Sequence, residues 1–239
     1  MPEHIEVGGD LDSVKLVEIS SADLKKVGNL LIHFSADQLG GVGYFPFDQT
    51  HGAETAVKEF AANNNGFAAV HYAIIDDDKV VGIRTTHPLT QIDDNTSKIV
   101  TDCIIGQPFQ RKRYSTRSHI ALQVGVEKND VFRWPIHSTI LSNNTPSLIS
   151  IIDAGAIPTE ILHDPQADFV AKHTGIKQIL FVSTNETLDE IMSDIIACGG
   201  VMELIGRNQK RVKRLRRHRA EQAIADLGVV LDREAKRAL

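Results

Sequence analysis

The stretch KIVTDCIIGQPFQRKRYSTRSHIALQVGVE, residues 98–127, decides the fold. Lys98 to Ile105 is rich in β-branched and apolar residues and reads as a strand. From Arg117 to Glu127, Ile120, Ala121 and Val124 recur at the spacing of a helix packed on a sheet. Between them lies Gly106-Gln-Pro-Phe-Gln-Arg-Lys-Arg-Tyr-Ser-Thr, a basic loop that opens the helix. A helix N-terminus offers backbone N–H groups and the positive end of its dipole to an anion. Arg111, Lys112 and Arg113, followed by Ser115 and Thr116, suit a pyrophosphate there. A solvated basic turn accounts for the same residues equally well, since runs of three cations are common on surfaces.

Upstream, Ala68 to Ile75 and Val80 to Thr85 read as two strands joined through the polar turn Asp76-Asp77-Asp78-Lys79. A first helix begins near Ser20 and Ser21, which supply a serine N-cap, and it places Leu24, Val27, Leu31 and Phe34 on one face. A second short helix carries Val57, Phe60 and Ala61 and stops at Asn63, Asn64, Asn65 and Gly66. The Gly40-Gly41-Val42-Gly43 stretch between these helices lacks a preceding strand and a Lys-Ser/Thr ending, so it reads as a connector and not as a nucleotide loop.

Downstream, Ile136 to Leu141 forms another strand, after which Thr145 and Pro146 supply a cap and a first-turn proline. Leu148, Ile151 and Ile152 make that helix's buried stripe, and Gly155 ends it. Strands at Thr159 to Leu162 and Lys177 to Val182 follow, with a polar loop between them. Leu188, Ile191, Met192, Ile195 and Ile196 then mark a helix that ends at Gly199-Gly200. From Arg207 to Leu239 eleven Lys/Arg stand against four Asp/Glu, a charge of +7; the preceding 206 residues therefore carry −12 to reach the total of −5. Arg207 to Leu227 is expected to be helical, with a first half too charged to be buried.

A chain of 239 residues with 42% hydrophobic content supports a substantial buried core. Its apolar runs are far short of the roughly 20 residues that span a bilayer, and no basic, apolar leader opens it. The expected compartment is the cytoplasm. Cys103 and Cys198 fall in a strand and a helix and read as reduced core residues, and no Cys/His spacing suggests zinc, so no metal is expected.

Two blocks resemble the GNAT superfamily of acyl-CoA-dependent N-acyltransferases. There, a strand is followed by a Pro, an Arg three positions on and glycines near six and eight positions after the Pro. Here Pro108 is followed by Arg111, Tyr114 and Thr116. The second block is a strand ending in Asn, with a small residue three later, often Tyr at seven and Gly-Phe at eleven and twelve; Asn144, Ser147, Ile151, Gly155 and Ala156 occupy those places. The resemblance covers roughly Val70 to Val182. It implies a mixed, mostly antiparallel α/β (α+β) sheet flanked by helices, whose fourth and fifth strands splay around acyl-CoA. It assigns residues 1–183 to the acyltransferase domain and 184–239 to a helical extension with a basic segment at 207–219. Ile105, Arg111, Lys112, Arg113, Tyr114, Ser115, Thr116 and Asn144 would then contact the cosubstrate, acetyl-CoA or another acyl-CoA. Tyr114 and Thr116 stand where the family has Gly, and Ile151 where many members carry the Tyr that protonates the leaving thiolate.

In such an enzyme a primary amine attacks the thioester, and the protein positions it, removes a proton and stabilises the oxyanion. Asp102 and His137, on the two splayed strands, are the candidate bases, each also explained as a solvent-facing carboxylate or an interior histidine; Tyr114 is a candidate acid. His71 and His87 sit near strand ends, where they could line an acceptor cleft or, as the plainer account, face solvent. Tyr44, Phe45 and Phe47 are acceptor-site candidates by the resemblance and core residues by packing. Three readings follow: an N-acyltransferase, an acetyltransferase first, for an amine not identified by the sequence; an inactive scaffold of the same shape; or an enzyme carried to nucleic acid by the segment Arg207 to Arg219. That segment equally suits an acidic partner or the acidic body of a neighbouring subunit in a homo-oligomer.

Overall fold

The computed structural model describes residues 4–5, 14–34, 52–64, 69–89, 98–129, 135–163, 165–206 and 210–238. The chain divides into two compact units, Met1–Arg133 and Trp134–Leu239. The Gly40 to Gly43 stretch, Tyr44, Phe45, Phe47 and Arg207 lie outside the described residues.

The first unit carries strands β1 (His4–Ile5), β2 (Lys15–Glu18), β3 (Val70–Asp76), β4 (Lys79–Leu89) and β5 (Lys98–Ile105) in sequential antiparallel order. Its helices are α1 (Leu24–Leu31), α2 (Ala53–Asn64) and α3 (Tyr114–Asn129). Asp77 and Asp78 both adopt positive φ, 44° and 61°, which is the backbone a two-residue hairpin needs to match strand twist. Strand alternation then sorts side chains by face. Ala73, Ile83 and Ile104 pack with Val27, Leu31, Phe34, Val57 and Phe60 from α1 and α2. These helices meet closely at Gly28, where an added Cβ would collide with the Ala53 carbonyl. The cap of α1 is Asp23, whose carboxylate accepts from the Lys26 backbone N–H, and not Ser20 or Ser21, which lie in a preceding 3₁₀ turn (Ile19–Ser21). Asp23 stands immediately before the first helical residue, so its side chain alone reaches the unpaired donors.

In the second unit β6 (Ile136–Leu141) and β7 (Ile157–Ile161) flank β8 (Gln178–Ser183), both ladders antiparallel. The helices are α4 (Thr145–Asp153), α5 (Pro165–Thr174), α6 (Asn185–Cys198), α7 (Val201–Ile205), α8 (Lys210–Asp226) and α9 (Arg233–Ala238). The expected polar loop between the last two strands is the helix α5, in which Asp168 near the start and Lys172 and His173 near the end complement the dipole. Asn144, not Thr145, caps α4, accepting from the Ser147 N–H at 3.2 Å. Thr184 and Thr187 form a reciprocal capping box on α6, and Gly199 ends it at φ 85°.

In the basic helix α8 no residue from Val212 to Arg219 is buried, as the charge of its first half leads one to expect, and the residues that dock it lie in its second half. Ala220 and Ile224 enter a core with Leu148, Ile151, Ile152, Ile179 and Phe181. Arg217 donates from Nε and NH2 to the two oxygens of Asp153, at 2.9 and 2.7 Å, and Arg216 pairs with Asp194. Lys213 donates to the carbonyls of Ile205 and Gly206, at the C-terminal end of α7. The apolar residues of its second half, which the charge count obscures, dock the helix on its own unit, and the arginines bend to carboxylates already there.

Candidate active site

β5 ends at Ile105, and the Gly106 N–H donates to the Val81 carbonyl at 2.9 Å, holding the chain to β4 as it leaves the sheet. A 3₁₀ turn, Gln107–Phe109, follows with Pro108 in its first positions. The Gln110 amide donates back to the Ile105 carbonyl at 3.3 Å. Arg111 and Arg113 then take left-handed backbone, φ 63° and 67°, and α3 starts at Tyr114. Its ladder begins with the Arg117 N–H donating to the Arg113 carbonyl at 3.0 Å. The positions that call for glycine-like backbone are therefore Arg111 and Arg113, and not Tyr114 and Thr116. A left-handed residue with a Cβ costs roughly 1–2 kcal/mol, and two such residues in one loop of three exposed cations is strain retained at a charged surface. The Lys112 ammonium lies 5.7 Å from the centre of the Phe109 ring.

Tyr114 and Thr116 are buried beneath this loop. The Tyr114 hydroxyl donates to Asp76 Oδ2 at 2.7 Å and Arg117 donates to Oδ1 at 2.9 Å, tying the start of α3 to the end of β3. The Arg117 guanidinium also lies over the Tyr114 ring at 5.1 Å. Burial pushes the Tyr114 hydroxyl up and its bond to Asp76 pushes it further. Burial also pushes Asp76 up, but the bonds from Arg117 and Tyr114 outweigh this and hold its carboxyl below its ordinary value. Sequence reading offers Tyr114 as an acid; in the structure its proton is engaged by Asp76.

Arg84, missed by sequence reading, lies behind the loop and is 2% exposed. It donates from Nε and NH2 to Ser118 Oγ at 3.2 and 2.9 Å, from NH1 to Thr101 Oγ1 at 3.0 Å, and from NH2 to the Ser115 carbonyl at 3.0 Å. NH1 also lies 3.5 Å from His119 Nδ1. Burial, then the charge of Arg84, holds the His119 imidazole well below its ordinary pKa, so that it stays neutral. The available signal was a cation in the otherwise apolar run Val80-Val81-Gly82-Ile83.

On the opposite sheet face, one register row crosses three strands: His71 opposes Thr85, and Thr85 opposes Asp102. His71 Nδ1 and Thr85 Oγ1 are 2.8 Å apart, and His71 meets the Phe60 ring edge-on at 5.1 Å. Among the described residues no hydrogen bond reaches the Asp102 carboxylate. Burial pushes its pKa up to about 6, with Arg84 pulling in the other direction. A carboxylate poised there accepts a proton near neutral pH. His87 pairs with Val100 nearer the end of β4.

In the second unit His137 is buried on β6 opposite Val182. The Asn144 side chain is engaged as the α4 cap, and Ile151 is a core residue of that helix. Among the described residues no group of three or more His, Cys, Asp or Glu could hold a metal ion.

The strand–loop–helix of the first unit and the antiparallel sheets with flanking helices are the fold of GNAT acetyltransferases. A GNAT-family acetyltransferase from Bacillus anthracis superposes with a TM-score of 0.53 at 13% identity, over 74% of this chain and 97% of that one. RimL, a ribosomal alpha-N-protein acetyltransferase, superposes at 0.54 with 16% identity, over 76% and 94%. Mycobacterium smegmatis RimJ, in complex with a CoA disulfide, gives 0.52 and 14%, over 75% and 88%. At these identities the likeness is one of fold, and the chain is a divergent example of it. No family model and no curated protein sequence matches the chain.

Proposed function

We propose that the chain is an acyl-CoA-dependent N-acyltransferase, with acetyl-CoA the cosubstrate to test first. The observation that carries this reading is the left-handed loop at Arg111 and Arg113, which presents three exposed cations at the start of a long helix after a strand. Oriented N–H groups, the helix dipole and flanking cations together fit a pyrophosphate. Arg111, Lys112, Arg113, Ser115 and Thr116 would hold it, with the Ile105 backbone beside them. In this reading residues 1–183 act as one acyltransferase module, 184–239 extend it, and the enzyme works in the cytoplasm.

Asp102 is the preferred base. Ionised above about pH 6, Asp102 takes a proton from the incoming ammonium, whose freed lone pair attacks the thioester carbonyl carbon. Collapse of the oxyanion breaks the C–S bond, and the departing thiolate takes the second proton that the attacking nitrogen must lose to become a neutral amide. A base near 6 is better matched to a protein α-amine, pKa about 8, than to a lysine near 10.4. RimL acts on a protein α-amine by its description. We therefore place a polypeptide N-terminus first among acceptors.

The test is calorimetric titration with acetyl-CoA and CoA, in the native chain and in Arg111→Ala. Micromolar binding, about −8 kcal/mol, that weakens in the variant supports the reading. Thiol release with a peptide bearing a free α-amine, reduced on the order of a hundredfold by Asp102→Asn, supports the mechanism. Binding without turnover on any amine would favour an inactive scaffold, a reading favoured by Ile151 in the core and by the engaged hydroxyl of Tyr114.

A further inference from the structure

Arg84 has a feature that the proposed chemistry leaves unused. A guanidinium removed from water loses hydration worth several kcal/mol, and proteins ordinarily recover this with a carboxylate. Here the acceptors are two hydroxyls, one backbone carbonyl and an imidazole kept neutral. Among the described residues no carboxylate forms an ion pair with Arg84. Asp102 feels its charge from the other sheet face, but no hydrogen bond or ion pair links the two. The positive charge is thus satisfied in hydrogen bonds, while among the described residues no carboxylate is in direct contact with it.

Its location gives that imbalance a direction. Two of the acceptors, Ser115 and Ser118, belong to the first turns of α3, whose dipole and backbone donors face the loop at 111–113. In a low-dielectric interior the field of a buried cation is screened far less than that of a surface lysine. Arg84 therefore adds to the dipole from behind while Arg111, Lys112 and Arg113 act from in front.

We propose that Arg84 is a positioning residue whose buried charge is completed by a diphosphate bound over the loop at residues 111–116. It touches no ligand; it fixes the first turns of α3 and supplies the internal half of the positive field. This rests on the acyl-CoA reading for the identity of the ligand, but not for its charge.

The experiment compares the native chain with Arg84→Lys and Arg84→Met, titrating CoA and inorganic pyrophosphate separately and following thermal unfolding of each unliganded protein. Lysine keeps the charge and loses the fork of donors; methionine loses both. The expected result is that both variants unfold at lower temperature, that Arg84→Met binds both probes at least tenfold more weakly, and that Arg84→Lys stays within about threefold of the native affinity. Affinities that fall alike in both variants, in step with unfolding temperature, or that do not change in Arg84→Met, would reduce Arg84 to a structural residue. Pyrophosphate binding that depends on Arg84, with no CoA binding, would uphold the proposal and overturn the acyl-CoA reading. Binding of neither probe to the native chain would overturn both.

Discussion

Arg84 and Arg217 are two arginines drawn out of water, one in each compact unit, and their surroundings differ in kind. Arg217 meets Asp153, whose side chain is 1% exposed, through two short parallel bonds that match fork to fork. Arg84 meets only neutral acceptors. The first arrangement is closed in both charge and hydrogen bonds, so it answers a need internal to the fold. The second is closed in hydrogen bonds alone, and it lies under a loop with strained backbone and beside the strand of a carboxylate held near 6. Within one chain, the contrast separates a charge closed by a carboxylate from one held by neutral acceptors alone.

The largest effect is expected from breaking the closed pair. Arg217→Met strands a buried carboxylate and should cost about 3–5 kcal/mol in urea unfolding, most of it recovered in the double variant with Asp153→Leu. If the single variant cost less than about 1 kcal/mol, the pair would be no more than a surface contact and the contrast would collapse.

Asp102 gives the next effect, and its sign is opposite to that of a paired carboxylate. Its folded pKa of about 6 lies above the ordinary 3.8, so the native state prefers the protonated form. The resulting penalty is absent below about pH 3.8, grows as pH rises to about 6 and is full above it. A rise of about two pH units corresponds to on the order of 3 kcal/mol. Asp102→Asn should therefore stabilise the fold at pH 8, where the carboxylate is charged, and change it little at pH 4. Equal effects at both pH values would remove Asp102 from the strained set.

Smaller effects should distinguish the two helix starts. Asn144→Ala removes the α4 cap and should cost about 1 kcal/mol by thermal unfolding. Arg111→Gly relieves left-handed strain and offsets part of the gain through unfolded-state entropy, leaving a few tenths of a kcal/mol of net stabilisation. The same variant should bind CoA more weakly, because the cation is lost. Stability and affinity moving together would indicate that Arg111 serves the fold and not the ligand.

Much of this contrast could be read before any coordinates. The strand at 98–105, the basic loop and the helix after it were legible because apolar period and a cluster of cations are local features. Asp102 was legible as a carboxylate within the strand at 98–105, although its sheet face was not, since a one-residue shift of register exchanges faces. Arg84 left only the trace of a cation in an apolar strand, and the pairs Arg217–Asp153 and Tyr114–Asp76 left none, because their partners stand 64 and 38 residues apart. In α8 the unburied, charged first half was legible from composition, whereas the docking of Ala220 and Ile224 was not, because burial weighs only the face that docks.

By itself, then, the sequence determined the order of elements, the basic loop at the head of α3 and the resemblance that names the fold, since each rests on residues within a turn or two of one another. The tertiary structure alone decided that Arg111 and Arg113 take the left-handed positions, that Tyr114 is bound to Asp76, and that Arg84 has no ion-pair partner among the described residues. Those outcomes depend on which strands and helices meet, and so on packing and desolvation, quantities that no local pattern of residues contains.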